Sequence, residues 1–268
     1  MTAHGVPACD QKGLKTVAKA LDLLCCFDCE HTEWGVTELA KYLGLHKSTV
    51  HRLLTTFETA AFIERTPERR YRLGIRTIEL GNMFQFNDRL IKAADRGLRI
   101  LAENTGSIAH LTRLDGRDTI ELLRFRALTR EVTSRLRVSV RREAHATAKG
   151  KAFLAYGGED FLKRFIGNRR YLKKYTSFTI GTPDELRAEL AQIRRQGYAV
   201  ANEESQLGLR CLAVPVITHS DGLVAALSIS NTKENISEDD FPRLVPKLLR
   251  LAKEIASGLD SPAGRLMK

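Results

Sequence analysis

The fold of the N-terminal part of the chain is decided by the stretch VTELAKYLGLHKSTVHRLL, residues 36–54. Apolar side chains recur at helical spacing on both sides of Gly44, which predicts two short helices joined by a tight turn. We expect Thr37 to cap the first helix, since a threonine hydroxyl accepts a backbone hydrogen bond there. The second helix is expected to begin near Lys47. Its apolar stripe at i, i+3, i+4 and i+7 consists of Val50, Leu53, Leu54 and Phe57.

The segments on either side of this stretch complete a winged helix-turn-helix. Upstream, a further helix is predicted by the apolar spacing of Val17, Leu21 and Leu24. Downstream, residues 63–65 and 71–73 alternate around a Thr-Pro-Glu-Arg turn at 66–69, which predicts a hairpin. In such a domain one helix enters the major groove of DNA and its neighbours position it. We therefore predict a DNA-binding domain over residues 10–74.

The polar face of the third helix and the hairpin tip carry side-chain types that suit DNA. Arginine forks onto guanine, threonine meets the thymine methyl, and lysine and serine bond phosphate. We expect Thr49 and Arg52 to read base edges, with Lys47 on phosphate. The predicted DNA contacts are Thr37, Lys47, Ser48, Thr49, His51, Arg52, Arg69 and Arg70. A three-helix domain whose polar face is merely solvated is the alternative.

The net charge of +11 does not by itself locate DNA binding. Residues 1–90 carry 12 Lys and Arg against 11 Asp and Glu, so most of the excess follows residue 90. Arginines crowd that later part at positions 113, 124, 126, 130, 135, 137, 141 and 142. We expect most of them on a solvated sheet face, with an acidic subunit surface or an anionic ligand as further partners.

Composition indicates a globular protein without a membrane span or a disulfide framework. No stretch approaches the roughly 20 apolar residues that a membrane helix needs. Residues 1–12 are polar and have no apolar signal core, so we expect a cytoplasmic protein. Five cysteines are too few for a disulfide scaffold in a chain of 268 residues.

The cysteines near the N-terminus give one Cys-x-x-Cys pair, Cys26 and Cys29, next to Cys25 and His31. A structural zinc site usually has a second pair of ligands, and none follows nearby. We interpret Cys25 and Cys26 as core or boundary residues and expect neither a metal nor a cofactor.

After Gly74 the sequence predicts a linker helix over residues 75–90 and a second domain over residues 91–260. The linker carries Ile75, Ile78 and Leu80, which suit the bridge of a dimer. The second domain alternates strands with helices. Its signals are turns at 115–116 and 221–222, a strand around Leu136, Val138 and Val140, helix starts at Thr147, Thr182 and Ser237, and strands at 211–217 and 223–230. The fold class is α+β.

Several of these stretches resemble the IclR family of transcription regulators. Besides residues 36–54, the resemblance rests on AHATAKGKAFLA (144–155), IRRQGY (193–198), Glu203-Glu204, GLRCLA (208–213) and ALSIS (226–230). It implies a GAF-like α/β effector-binding domain, dimers or dimers of dimers, ligand-modulated repression or activation, and Cys211 in the ligand pocket. Two positions depart from the family pattern: Glu143 replaces a proline, and Ala201 and Asn202 stand where an acidic residue is usual.

The effector is expected at the start of the helix that begins at Thr147. Unpaired N–H groups and the positive dipole end suit a small organic carboxylate, and Lys149 adds a full charge. Ser228 and Ser230 share one strand face and are expected to donate hydrogen bonds to this ligand. The predicted pocket comprises Thr147, Ala148, Lys149, Leu209, Cys211, Ser228 and Ser230. A plain helix cap packed on a core strand is the alternative.

These observations favour a regulator that binds double-stranded, pseudo-palindromic operator DNA as a homodimer or dimer of dimers. A small organic acid would shift the dimer between two arrangements, and repression is favoured over activation. One alternative is an enzyme with an appended DNA-binding domain. Cys211 and His145 would then be nucleophile and base, but no third orienting group accompanies them. The other alternative is an architectural DNA binder without a ligand.

Overall fold

The structure is a computed structural model that describes residues 13–28, 30–116, 118–126 and 142–261. The chain divides between Asn87 and Asp88 into two compact units. Outside the described residues lie Cys29, the predicted strand around Leu136, Val138 and Val140, and the arginines at 130, 135, 137 and 141.

The N-terminal unit has the order of a winged helix-turn-helix followed by a linker helix, as predicted. Its elements are α1 (Lys15–Leu24), α2 (Val36–Leu43), α3 (Lys47–Thr59), β1 (Ile63–Arg65), β2 (Tyr71–Leu73) and α4 (Arg76–Asn87). Between α2 and α3, Gly44 adopts a left-handed conformation with φ of 64°. Glycine takes this conformation without steric penalty, which explains the tight turn. Strands β1 and β2 pair antiparallel, with Ile63 opposite Leu73.

The core of this unit confirms the stripe predicted for α3. Val50, Leu53 and Leu54 are buried against Leu23 of α1 and Leu39 of α2. The apolar stripe that predicted α1 is not buried in the same way, because Val17 and Leu21 are both 51% exposed. The helix is therefore present, but part of its apolar side is not used by the core of this unit.

The predicted cap of α2 at Thr37 is wrong. The cap is Gly35, two residues earlier, and the helix begins at Val36, because the carbonyl of Gly35 already accepts from the N–H of Leu39 at 3.0 Å. The Glu38 carboxylate accepts the N–H of Gly35 at 2.9 Å. Thr37 thus lies inside the first turn, where its hydroxyl no longer caps the helix.

The C-terminal unit contains one antiparallel sheet in the described residues, with strand order β4-β3-β7-β6-β5. The strands are β3 (Ile108–Asp115), β4 (Asp118–Arg126), β5 (Ala199–Asn202), β6 (Leu209–Thr218) and β7 (Gly222–Thr232). The helices are α5 (Arg89–Thr105), α6 (Ala148–Tyr156), α7 (Glu159–Ile166), α8 (Pro183–Gln196) and α9 (Phe241–Asp260). Short 3-10 turns precede α6 at Ala144–Ala146 and α9 at Glu238–Asp240.

The two faces of this sheet bury different side chains. Large residues such as Leu212 and Leu227 point to one face and form a core with α5 and α9. The other face carries small residues, including Ala213 and Ala226, and packs against α6 and α8. Alternation along each strand produces this division, since successive side chains point to opposite faces. The polar residues discussed below lie on the second face.

The helix starts predicted for this unit are confirmed at two places. Thr147 caps α6 by accepting from the N–H of Gly150 at 3.0 Å. Thr182 caps α8, and its partner Glu185 returns the bond to the N–H of Thr182, as a capping box requires. The two glycine turns at 115–116 and 221–222 also connect antiparallel neighbours.

Candidate functional site

The exposed side of α3 carries most of the residues predicted to contact DNA. Burial of Val50 and Leu54 turns the opposite side of the helix outward. On that side Lys47, Ser48, His51 and Arg52 are exposed, and Thr49 is half-buried. Among the described residues neither Lys47 nor Arg52 has a carboxylate partner, so both charges remain available to a polyanion.

The two predicted wing arginines have different surroundings. Arg69 is exposed in the turn between β1 and β2, with a left-handed φ of 61°. Arg70 instead points back to α2, where its guanidinium donates to the Glu38 carboxylate at 2.9 Å and to the carbonyl of Glu33 at 3.0 Å. The wing is thereby tied to the start of α2, and Arg69 is its freer cation.

The start of α6 lies over the sheet face that carries the predicted pocket residues. Because the Thr147 cap uses the N–H of Gly150, the N–H groups of Ala148 and Lys149 are the remaining first-turn donors. On the sheet, Cys211 of β6 stands opposite Ser230 of β7. Leu209 and Ser228 lie two residues along the same strands and therefore on the same face. The structure thus places the start of α6 over the sheet face that carries Cys211, Ser228 and Ser230, with Leu209 at the end of the same face.

A chain of polar contacts that the sequence analysis did not foresee links this region. His110 of β3 contacts the Ser230 hydroxyl through Nε2 at 2.8 Å and the Glu121 carboxylate of β4 through Nδ1 at 2.7 Å. The Lys149 ammonium lies 3.4 Å from the same carboxylate. The alternation of His110 and Thr112 along β3 was the available signal, but their partners lie on other strands. Strand register alone joins them.

The electrostatics of these polar contacts determine which groups carry a proton. Burial alone would raise the pKa of Glu121, but the hydrogen bond and charge of His110 and the charges of Lys149 and Arg124 bring it to about 2. Burial lowers the pKa of His110, which opposes the effect of the Glu121 carboxylate. At neutral pH we therefore assign an ionised Glu121 beside a neutral His110.

The hydrogen-bond role of Ser230 follows from the tautomer of His110. An ionised carboxylate only accepts, so Nδ1 of His110 must carry the proton. Nε2 is then an acceptor, and the Ser230 hydroxyl donates to it. The hydroxyl hydrogen of Ser230 is therefore engaged within the protein, and its oxygen remains available as an acceptor.

Cys211 and His145 do not form a nucleophile and base. The His145 Nε2 donates to the carbonyl of Lys173 at 2.9 Å and is not bonded to Cys211. Burial raises the pKa of the Cys211 thiol to about 12, so it stays protonated. Cys26 is likewise buried, and burial raises its pKa to about 12. No group of three or more His, Cys, Asp and Glu side chains within the described ranges is arranged to hold a metal ion.

A second buried network fixes the position of α6. The Lys151 ammonium, 1% exposed, contacts Glu204 at 2.7 Å and Glu189 of α8 at 2.8 Å. Glu203 accepts from Lys233 at 2.8 Å and from the N–H of Gly208 at 2.8 Å. The paired glutamates of the sequence motif therefore hold α6 and the start of β6 in place.

Comparison with known proteins decides the family. A family model described as "Bacterial transcriptional regulator IclR C-terminal" matches residues 86–257, and one described as "IclR helix-turn-helix domain" matches residues 16–67. The chain belongs to the IclR family. This membership confirms the predicted family and fold class, and it makes the chain a DNA-binding transcription regulator and not an enzyme.

Individual members of the family are similar to this IclR-type chain over most of its length. It is 32% identical to the transcriptional regulator XynR of Escherichia coli K12, over 93% of this chain and 99% of that protein. It is 32% identical to the transcriptional repressor IclR of the same organism, over 82% and 81%. An IclR homologue from Microbacterium hydrocarbonoxydans, solved in complex with 4-hydroxybenzoate, is 25% identical with a TM-score of 0.75, over 91% and 98%. Within the described residues, no helix is long and apolar enough to cross a membrane.

Proposed function

We propose that this IclR-type regulator is a cytoplasmic repressor whose affinity for its operator is modulated by a small organic acid. The acid would lie between the start of α6 and the sheet, with its carboxylate on the N–H groups of Ala148 and Lys149. One observation carries this proposal. Hydrogen-bonding side chains from β3, β4 and β7 converge under the start of α6, on a sheet face otherwise occupied by small apolar residues.

Two of the similar proteins support the ligand and the direction of control. The Microbacterium homologue carries 4-hydroxybenzoate, which is a small organic acid. The Escherichia coli protein that matches over 82% of this chain is a repressor. Repression fits a mechanism in which the free protein holds DNA and the acid favours a second arrangement with weaker affinity.

DNA would be read by α3, with Thr49 and Arg52 at base edges, Lys47 and Ser48 on phosphate, and Arg69 at the wing. The exposed position of these side chains supports this assignment. Arg70 takes a different part, because its contacts with Glu38 orient the wing. One α3 covers only a few base pairs, so a specific site requires two copies on a pseudo-palindrome.

Exposed apolar side chains in the N-terminal unit support a two-fold dimer. No side chain of α4, which is described throughout, is buried. Over residues 75–87, the apolar side chains that are more than half exposed are those of Ile75, Ile78, Leu80, Met83, Phe84 and Phe86. Val17 and Leu21 of α1 are further exposed apolar side chains of the same unit, and a second copy would cover such side chains. We propose α4 as the bridge of a homodimer or of each pair in a dimer of dimers.

The proposal is tested with the full chain and labelled DNA from its own promoter region. Fluorescence anisotropy gives the operator affinity, and calorimetry gives the binding of aliphatic and aromatic carboxylic acids. We expect at least one acid to bind and to weaken operator affinity fivefold or more, since allosteric couplings are typically of this size. Operator affinity unchanged by every acid that binds would indicate the architectural alternative, and tighter DNA binding would indicate an activator.

A further inference from the structure

His110 lies at the centre of a set of charged and hydrogen-bonding groups on the sheet face under α6. Its Nδ1 is 2.7 Å from the Glu121 carboxylate of β4, and its Nε2 is 2.8 Å from the Ser230 hydroxyl of β7. The Lys149 ammonium of α6 lies 3.4 Å from the same oxygen of Glu121. His110 is 8% exposed, so these neighbours rather than bulk water decide whether the imidazole carries a charge.

The surroundings of His110 keep it neutral in the free protein. Burial lowers the pKa of His110, the charges of Lys149 and Arg124 lower it further, and the Glu121 carboxylate opposes them. Among the described residues, the charged and titratable groups that face the ring are Glu121 and Arg124 of β4 and Lys149 of α6, while β7 contributes serine hydroxyls and β6 the protonated thiol of Cys211. One anion and two cations therefore act on the imidazole.

An acid at the start of α6 would change this balance. Its carboxylate would lie beside Lys149, the residue whose ammonium contacts Glu121. The added negative charge offsets one of the two cations that disfavour a charged imidazole, so two anions and two cations would then act on it. The Glu121 carboxylate already contacts the ring and needs no movement to stabilise an imidazolium.

We propose that binding of the acid is coupled to protonation of His110, which frees the Ser230 hydroxyl to donate a hydrogen bond to the acid. This inference rests on the proposed effector site and describes how pH regulates it. The proton comes from solvent and adds to Nε2, whose lone pair accepts the Ser230 hydrogen in the free protein. The imidazolium then donates from both nitrogens, to Glu121 and to the Ser230 oxygen. His110 and Glu121 thus act as positioning residues for the Ser230 hydrogen.

The coupling makes the regulator respond to pH as well as to the concentration of the acid. Because the acid raises the proton affinity of His110, protons raise the affinity for the acid by the same factor. The affinity for the acid therefore falls as the pH rises from the His110 pKa of the free protein to that of the bound protein. Release of the operator should require less acid at the lower end of this range.

Calorimetry on the full chain measures the coupling directly. Propionate, pyruvate, lactate, benzoate and 4-hydroxybenzoate are titrated at equal pH in phosphate and in Tris, and the slope of binding enthalpy against buffer ionisation enthalpy gives the number of protons taken up. The carboxyl groups of these probes are ionised at neutral pH, so they do not contribute. For every probe that binds we expect an uptake of about 0.3–1 proton at pH 7 and an affinity that falls about threefold or more from pH 6 to pH 8.

The outcomes separate this inference from the proposed function. Binding without proton uptake at every pH from 6 to 8 would overturn the inference and leave the acid site standing. An affinity that rises with pH would also overturn it, because the proton would then be released rather than taken up. No binding by any of the five acids would overturn both.

His110→Gln removes the titrating group and keeps a donor for Glu121 and an acceptor for Ser230. We expect the folded variant to bind the acid with an uptake below about 0.1 proton. The control His219→Gln, at an exposed histidine between β6 and β7, should keep the wild-type uptake. His145 is buried in the turn before α6 and is tested in the same way. Uptake that survives in His110→Gln but is lost in His145→Gln would overturn the proposal.

Nitrogen-15 NMR of the histidine-labelled wild type gives a measurement that does not depend on the folding of a variant. The two ring nitrogens of a neutral imidazole differ strongly in chemical shift, whereas those of an imidazolium are similar. We expect one histidine to change from the neutral pattern, with its proton on Nδ1, to the charged pattern when the acid saturates the protein. Histidine signals that all keep their patterns while the acid binds would contradict the proposal.

Discussion

The polar side of α3 and the polar row under α6, which consists of Glu121, His110 and Ser230, differ in how their groups are satisfied. On α3 the cations are exposed and, within the described chain, unpaired with carboxylates. Under α6 the polar groups are buried, and most are bonded to one another. Water solvates the first set until a polyanion displaces it, so each side chain acts nearly alone. The second set acts as a unit, because changing one member alters the bonds of the next.

The largest effect is expected for a buried charge. The network of Lys151, Glu189 and Glu204 holds α6 in place. Lys151→Met leaves Glu204 and Glu189 without their cation, and breaking a buried ion pair costs about 3–5 kcal/mol. Urea unfolding of the C-terminal unit measures this loss. The control Lys163→Met, on an exposed side chain of α7, should change the unfolding free energy by less than about 0.5 kcal/mol. Equal effects of the two substitutions would contradict the contrast between buried and exposed charges.

A smaller loss is expected when a side chain that reads a base is removed from the exposed helix. Arg52→Ala should weaken binding to the cognate operator by about 1–3 kcal/mol and relax the preference at one base pair. Folding should be unaffected, since Arg52 is exposed. Anisotropy with a set of single-base operator variants measures both changes. An operator affinity equal to that of wild type would remove α3 from base recognition.

A still smaller and sequence-independent change is expected for a side chain that binds phosphate. Lys47→Ala should weaken all DNA sequences alike and lower the slope of log affinity against log salt by about 0.9 for each phosphate that a protomer no longer neutralises. Titrations at several salt concentrations, on operator and on unrelated DNA, give the slope. A weakening confined to the operator would mean that Lys47 reads bases instead.

A further prediction concerns the acid stability of the polar row. The pKa of Glu121 is about 2 in the folded protein against an ordinary value of 4.5, so its stabilisation is present above pH 4.5 and is lost as the pH falls toward 2. Glu121→Gln should flatten the dependence of the unfolding free energy on pH within that window. Other carboxylates titrate there too, so the difference from wild type is the relevant quantity. Parallel curves would show that Glu121 is not the ionised end of the row.

The same contrast explains what could be predicted from the sequence. The helix-turn-helix follows from local periodicity, and exposed DNA-binding types are read directly from its polar face. The side-chain type of Thr37 wrongly indicated the cap of α2. The cap is Gly35, whose backbone carbonyl accepts the first hydrogen bond of the helix. The exposed stripe of α1 shows that periodicity reveals a helix without saying what covers it.

The polar row lies beyond local reasoning. His110, Glu121 and Ser230 are brought together by the register of three strands, and His110 and Ser230 are 120 positions apart. The pocket residues at the start of α6 were predicted, since a helix start can be read from Thr147 and its neighbours. The direction of the Ser230 hydrogen bond was not, because it depends on a histidine tautomer that a distant carboxylate selects.

The central claim is that a small organic acid bound on the sheet face under α6 controls the affinity of α3 for DNA. The most direct measurement is the operator affinity of full-length wild type and Ser230→Ala, at fixed salt, with and without the tightest-binding carboxylic acid. We predict equal affinities without the acid, a weakening of fivefold or more for wild type at saturation, and less than twofold for Ser230→Ala at that concentration. A wild-type response in Ser230→Ala, or no response in saturated wild type, would contradict it.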